Sequence, residues 1–139
     1  MVEFIRERKI NMSEQIVLIS HHTIREGKLD AFRTFFPQGT QLIWEQKPGT
    51  LVFLAYVDEE SGEVSFVHVF PDAEAVDVHI EGVDERSKQA YEFMQPKSFE
   101  IYGTPSDEVL EMMEPTTGSG VTLSINKDYI GGFLRLKSG

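Results

Sequence analysis

The chain has 139 residues, 40% of them hydrophobic, a formal net charge of -10 and no cysteine. That length is one ordinary domain with enough apolar material for a core. The charge argues against a nucleic-acid or anionic-membrane partner, both of which need a basic surface. The absence of thiols excludes disulfides, cysteine nucleophiles and cysteine-ligated metals.

Residues Met1 to Gln15 read as a loose or helical lead-in, with Met12 as an alternative start. Their interleaved charges lack the apolar centre of a signal peptide. No run approaches the roughly 20 apolar residues of a membrane span, so a cytoplasmic setting is expected. Ile16 to Ile24 (IVLISHHTI) is β-branched and apolar and predicts the first strand. From Lys28 onward, Leu29, Phe32, Phe36, Thr40 and Ile43 share one helical stripe. Pro37 interrupts it, which predicts a kink or two successive helices, and Lys47-Pro48-Gly49 ends it. Leu51 to Val57 predicts a second strand. The polar turn Asp58 to Gly62 leads into a third at Glu63, paired antiparallel with the second.

That third strand, with the helix after it, is the centre of the pattern. Apolar residues fill both alternating sets: Val64, Phe66 and Phe70 with His68, then Val67 and Val69 with Ser65. A strand of this kind needs cover on both faces. Pro71 stops the ladder and Asp72 is placed to cap a helix from Ala73. On it Val76, His79, Ile80 and Val83 recur at helical spacing, so His79 shares the apolar face. Asp84 is expected to cap a further helix carrying Ser87, Ala90, Tyr91 and Met94, ended by Pro96. Lys97 to Gly103 predicts a fourth strand, and Ser106 caps a short helix with Asp107 and Glu108 in its first turn. After the flexible link Pro115 to Gly120, Val121 to Ile125 and Tyr129 to Leu136 predict a C-terminal hairpin. It either extends its own sheet or reaches across to a partner.

The order β-α-β-β-α-β predicts an α+β fold of the ferredoxin-like split βαβ type, an antiparallel sheet with helices on one face. The domain proper covers residues 16–104, and residues 105–139 form a helix and hairpin extension of it. The uncovered face is too apolar to stay wet, which predicts a homodimer formed through the open sheet face.

Four segments carry a family resemblance: the first strand followed by EGKLDAF, then KPGTLVFLAYVD, VSFVHVFPDAEAVDVH and KSFEIYG. Together they cover about Ile16 to Gly103, and they resemble the antibiotic biosynthesis monooxygenase-like family of dimeric α+β barrels. The resemblance implies a ferredoxin-like monomer, a face-to-face dimer and a pocket between sheet and helices. Some members of that family oxygenate phenols or quinols with molecular oxygen and no cofactor; others degrade haem or bind small molecules. His79 falls where members often carry a pocket histidine. The haem-degrading pattern adds an asparagine on the first strand and a pocket tryptophan. Here the first strand has no asparagine and Trp44 is the only tryptophan.

The expected site follows. His79 is read as the catalytic base or hydrogen-bond donor to a phenolic ligand, since imidazole titrates near neutral pH; the competing reading is a histidine bonded to a backbone carbonyl. Phe32, Phe36, Trp44, Phe66 and His68 are the expected substrate-binding residues, forming an aromatic wall for a planar ligand. For His68 strand parity leaves the face open. His21 and His22 are neighbours on a strand, so they point to opposite faces and do not pair as metal ligands. Neither a metal nor a cofactor is expected. The expected function is a cofactor-independent monooxygenase acting on a small planar aromatic compound, a quinol or phenol. The alternatives are a non-catalytic small-molecule-binding or stress-related dimer with the same fold, or an interaction module with a filled pocket.

Overall fold

The computed structural model describes residues 14–116 and 120–135. The sequence expectations for Met1 to Gln15, the Pro115 to Gly120 link and the end of the hairpin at Leu136 fall wholly or partly outside those residues. The elements are β1 (Ile16–Ile24), α1 (Leu29–Gln46), β2 (Val52–Asp58), β3 (Glu63–Phe70), α2 (Ala73–Ile80), α3 (Val83–Ala90), β4 (Met94–Tyr102), α4 (Asp107–Met113) and β5 (Thr122–Asn126), with a 3₁₀ turn at Glu114–Thr116.

The five strands form one sheet in the order β2-β3-β1-β4-β5. The first four pair antiparallel, the ferredoxin-like arrangement expected from the element order. β5 pairs parallel with β4, which corrects the expected hairpin. Residues 127–135 adopt no regular structure, so β5 has no antiparallel partner there. The chain instead passes through α4 and returns to the same end of the sheet, and such a connection makes parallel pairing available.

Local chemistry sets the helix ends. Asp72 accepts a hydrogen bond from the Ala75 amide at 2.9 Å, and Ser106 accepts from Val109 at 3.2 Å, each satisfying an otherwise free N–H of the first turn. The Ser106 hydroxyl also donates to Asp77 at 2.7 Å, tying α4 to α2. The α3 cap position belongs to Gly82, at φ 79, and not to Asp84, which lies in the first turn. α1 is one helix of 18 residues that passes through Pro37, against the two-helix expectation. Arg33, whose carbonyl the proline ring deprives of a partner, is exposed with it, so water can satisfy that oxygen. Pro96 does not end α3, which stops at Ala90. It sits inside β4 opposite His22, where the β1–β4 register shifts; an irregularity in the ladder is where a strand tolerates proline.

All four helices cover one sheet face. Ile16, Phe70, Val76, Ile101, Val109 and Met113 form one core cluster beneath α2 and α4. Phe32, Val64, Phe66 and Met94 form a second beneath α1. The other face carries Val17, Ile19, Val67 and Val69 with Leu54 and Tyr56, the last two exposed.

Candidate binding site

Ser20, His22, His68 and His79 are buried polar residues that belong to neither apolar cluster. Burying polar groups costs free energy unless they are bonded, so this seam across the covered face is where the structure concentrates its chemistry. β1 supplies Ser20 and His22, β3 supplies His68 and α2 supplies His79. Alternation along β3 places Val64, Phe66, His68 and Phe70 together, and their contacts put them on the helix side. This settles the face of His68: it looks into the covered layer.

His68 and His79 meet edge to face, ring centroids 5.2 Å apart. Phe53 lies 5.1 Å from His68 and 6.3 Å from His79, and Phe70 lies 5.1 Å from His79. The His68 Nδ1 is 3.1 Å from the Leu18 carbonyl. A carbonyl only accepts, so Nδ1 carries the proton and Nε2 the lone pair. His79 Nδ1 shares a hydrogen bond of 2.7 Å with the Thr50 hydroxyl. His22 stands edge-on to Phe66 and Phe99, with centroids 5.3 and 5.9 Å away, and its Nδ1 has no partner.

Burial sets the charge state of all three imidazoles. Loss of solvation pushes His22 and His68 down to about 4 and His79 to about 3. For His79 the fields of His68, Arg86 and Lys47 act in the same direction. Those two cations cap the end of α2. Lys47 Nζ donates to the Val78 carbonyl at 2.6 Å, and Arg86 donates to the carbonyls of His79 and Glu81 at 2.5 and 2.8 Å. They satisfy the free carbonyls of the helix terminus and complement its negative end. The same placement holds His79 neutral.

The structure brings together most of the expected residues. His79, His68, Phe66, Phe32 and Phe36 form one continuous set, with Phe36 5.8 Å from Phe66 and 5.5 Å from Phe32. Trp44 stands apart, 79% exposed. It follows the buried Ile43, and one residue along a helix turns the side chain by about 100°, off the stripe that faces the sheet. Thr50, Phe53, Lys47 and Arg86 were not anticipated. Phe53 shares the parity of Ala55 and Val57 on β2, which was the available signal. Thr50 and Lys47 act through contacts about thirty residues away in sequence, and Arg86 reaches back from the following helix to the His79 and Glu81 carbonyls. Among the described residues no group of three or more His, Asp or Glu is placed to hold a metal ion, and no helix is long and apolar enough to cross a membrane.

No family model matches the chain, and no curated protein matches it in sequence. Solved structures do. MupZ from Pseudomonas fluorescens aligns over 86% of this chain and 95% of its own, with a TM-score of 0.65 and 16% identity. SnoaB from Streptomyces nogalater, a cofactor-independent oxygenase, aligns over 67% and 95% with a TM-score of 0.55 and 11% identity. An antibiotic biosynthesis monooxygenase-like protein from Bacteroides thetaiotaomicron aligns over 66% and 88% with a TM-score of 0.53 and 17% identity. The chain therefore has the ferredoxin-like α+β fold of the antibiotic biosynthesis monooxygenase-like structures. At these identities the likeness establishes fold and leaves activity to the site.

Proposed function

We propose that this protein binds a small planar aromatic compound bearing a phenolic hydroxyl and oxygenates it without a cofactor. The observation that carries this reading is the pair of neutral imidazoles, His68 and His79, walled by Phe53, Phe66 and Phe70. With Thr50 accepting from Nδ1–H, His79 Nε2 presents its lone pair to a ligand hydroxyl. The phenolic proton moves to that nitrogen, and the resulting phenolate passes an electron to dioxygen. SnoaB, which has the same fold, is itself a cofactor-independent oxygenase.

A second reading has its own support. A base held down to about 3 is a poor acceptor for a phenolic proton, because efficient proton transfer favours a base whose pKa lies near the working pH. Such a histidine is better suited to accepting a hydrogen bond in a non-catalytic binding protein. Oxygen uptake against a panel of quinols and polycyclic phenols separates the two. Turnover that falls at least a hundredfold in His79→Gln supports the oxygenase. Saturable binding with no oxygen consumed supports the binding protein. If neither binding nor uptake occurs, the site reading fails.

The same proposal includes a homodimer, with a second copy covering Val17, Ile19, Leu54 and Val67 on the open face. Leu54 is exposed and the other three are half-buried on the face that no helix covers, and apolar surface left open in this way marks an interaction site. Sedimentation equilibrium is the test, and a monomer at micromolar concentration would refute it.

A further inference from the structure

The sheet face that the helices leave open is divided end to end. Val52, Val69 and Val17 lie in one cross-strand row, and Leu54, Val67 and Ile19 in the next. The row beyond them is polar, with the His21 ring 2.8 Å from the Ser65 hydroxyl and 2.7 Å from the Glu100 carboxylate. Five strands about 4.8 Å apart and about seven residues long give this face roughly 550 Å² before side-chain relief. A standard interface takes about 800 Å² from each partner, so the face by itself falls short.

Further apolar surface stands at its rim. After β5 the chain runs on through residues 127–135 without regular structure. Tyr129 and Ile130 border the same shallow depression as Val17 and Tyr102, which places them at the apolar end of the face. Ile130 is nonetheless 97% exposed and Phe133 72% exposed. Gly131 and Gly132 hold φ 153 and 139, a region that other residues rarely enter. The Tyr129 hydroxyl donates to the Gly132 carbonyl at 3.1 Å, and the Arg135 guanidinium sits 4.9 Å from the centre of the Phe133 ring. The segment therefore keeps a defined shape while its two large apolar side chains meet solvent beside an open apolar face.

A second copy completes this surface, and symmetry says where. A two-fold that stacks apolar rows on apolar rows keeps the two ends of the face together, so its axis runs along the strands. That rotation exchanges the two edges. β1, third of the five strands, then lies over its own counterpart, and the β5 edge with the segment after it comes over the β2 edge of the other copy. Leu54, 46% exposed, is the open apolar side chain on that edge.

We propose, on the homodimer reading given above, that residues 127–135 form an arm that clasps a second copy of this chain, with Ile130 and Phe133 packed on the partner's Leu54 and the partner's Val52. The arm supplies the area that the sheet face lacks.

The chain has no cysteine, so introduced thiols report contacts without background. Leu54→Cys and Ile130→Cys proteins are prepared separately, mixed, allowed to exchange subunits and treated with a short bismaleimide. The mixture should give at least tenfold more covalent dimer than either protein alone, because the two-fold sets Leu54 against Ile130 and neither against itself. In sedimentation equilibrium the double variant Ile130→Ser, Phe133→Ser should show a dissociation constant raised at least tenfold over the parent, with an unchanged circular dichroism spectrum, since both side chains are exposed. A double variant that dimerises as the parent does overturns the arm and leaves the homodimer standing. So does a mixture that gives no more covalent dimer than the single variants. A parent that sediments as a monomer removes the homodimer and the arm together.

Discussion

Acidification to pH 5 is the most revealing perturbation of this fold. The three seam histidines are buried, and each has a folded-state pKa below its ordinary value of 6.5: about 4 for His22 and His68, about 3 for His79. A depressed histidine pKa means that the unfolded chain binds the proton first. Stability is therefore full above pH 6.5 and falls as the pH drops from there toward the folded values. At pH 5 each group has lost about 2 kcal/mol, the 1.5-unit gap from 6.5 at about 1.36 kcal/mol per unit, and the three together about 6 kcal/mol. A domain of this size has about 5–15 kcal/mol in total, so pH 5 removes a large share of the stability. Carboxylates do not mask the effect. Glu63 and Glu100 are held low by hydrogen bonds from Lys97 and Tyr102, so their contribution is lost only below about pH 4.5. Urea unfolding followed by circular dichroism at pH 7.5 and pH 5 measures the difference, and His68→Gln should shrink it by about a third. Equal stability at the two pH values, or imidazole NMR signals from these residues titrating near 6.5, would refute the reasoning.

Phe70 is fully buried between the two imidazoles and the α2–α4 cluster. Phe70→Ala should cost about 3–5 kcal/mol in a denaturant melt, with less than 1 kcal/mol counting against the packing described. Gly103→Ala forces a Cβ against the Gln15 backbone at a positive φ. It should destabilise by about 1–3 kcal/mol, and an unchanged melting temperature would contradict the close approach. Trp44→Ala should change stability by less than about 0.5 kcal/mol and leave aromatic ligand affinity intact; a large loss of affinity would restore the tryptophan to the site.

The covered layer was legible from the residues because its signals are local. Strand alternation fixed that Phe66, His68 and Phe70 act together, and helical spacing fixed that His79 faces inward with Val76. Asp72 and Ser106 marked their helix starts through a side-chain oxygen three residues from the amide it serves. The neutrality of the histidines had no local signal. It depends on burial against Phe53 and Phe70 and on Lys47, at the end of α1, and Arg86, within α3.

The sequence by itself determined the order of elements, the ferredoxin-like class and the grouping of residues by face, since each depends on periods of 2 or 3.6 residues and on caps within a single turn. Only the tertiary structure decided which face His68 looks into, that Trp44 lies outside the aromatic wall, that Pro96 sits within β4 and that β5 runs parallel beside it. Each of these depends on pairing between segments far apart in the chain. A strand's alternation is the same whichever face is covered and whichever neighbour it joins, so only the assembled sheet distinguishes the alternatives.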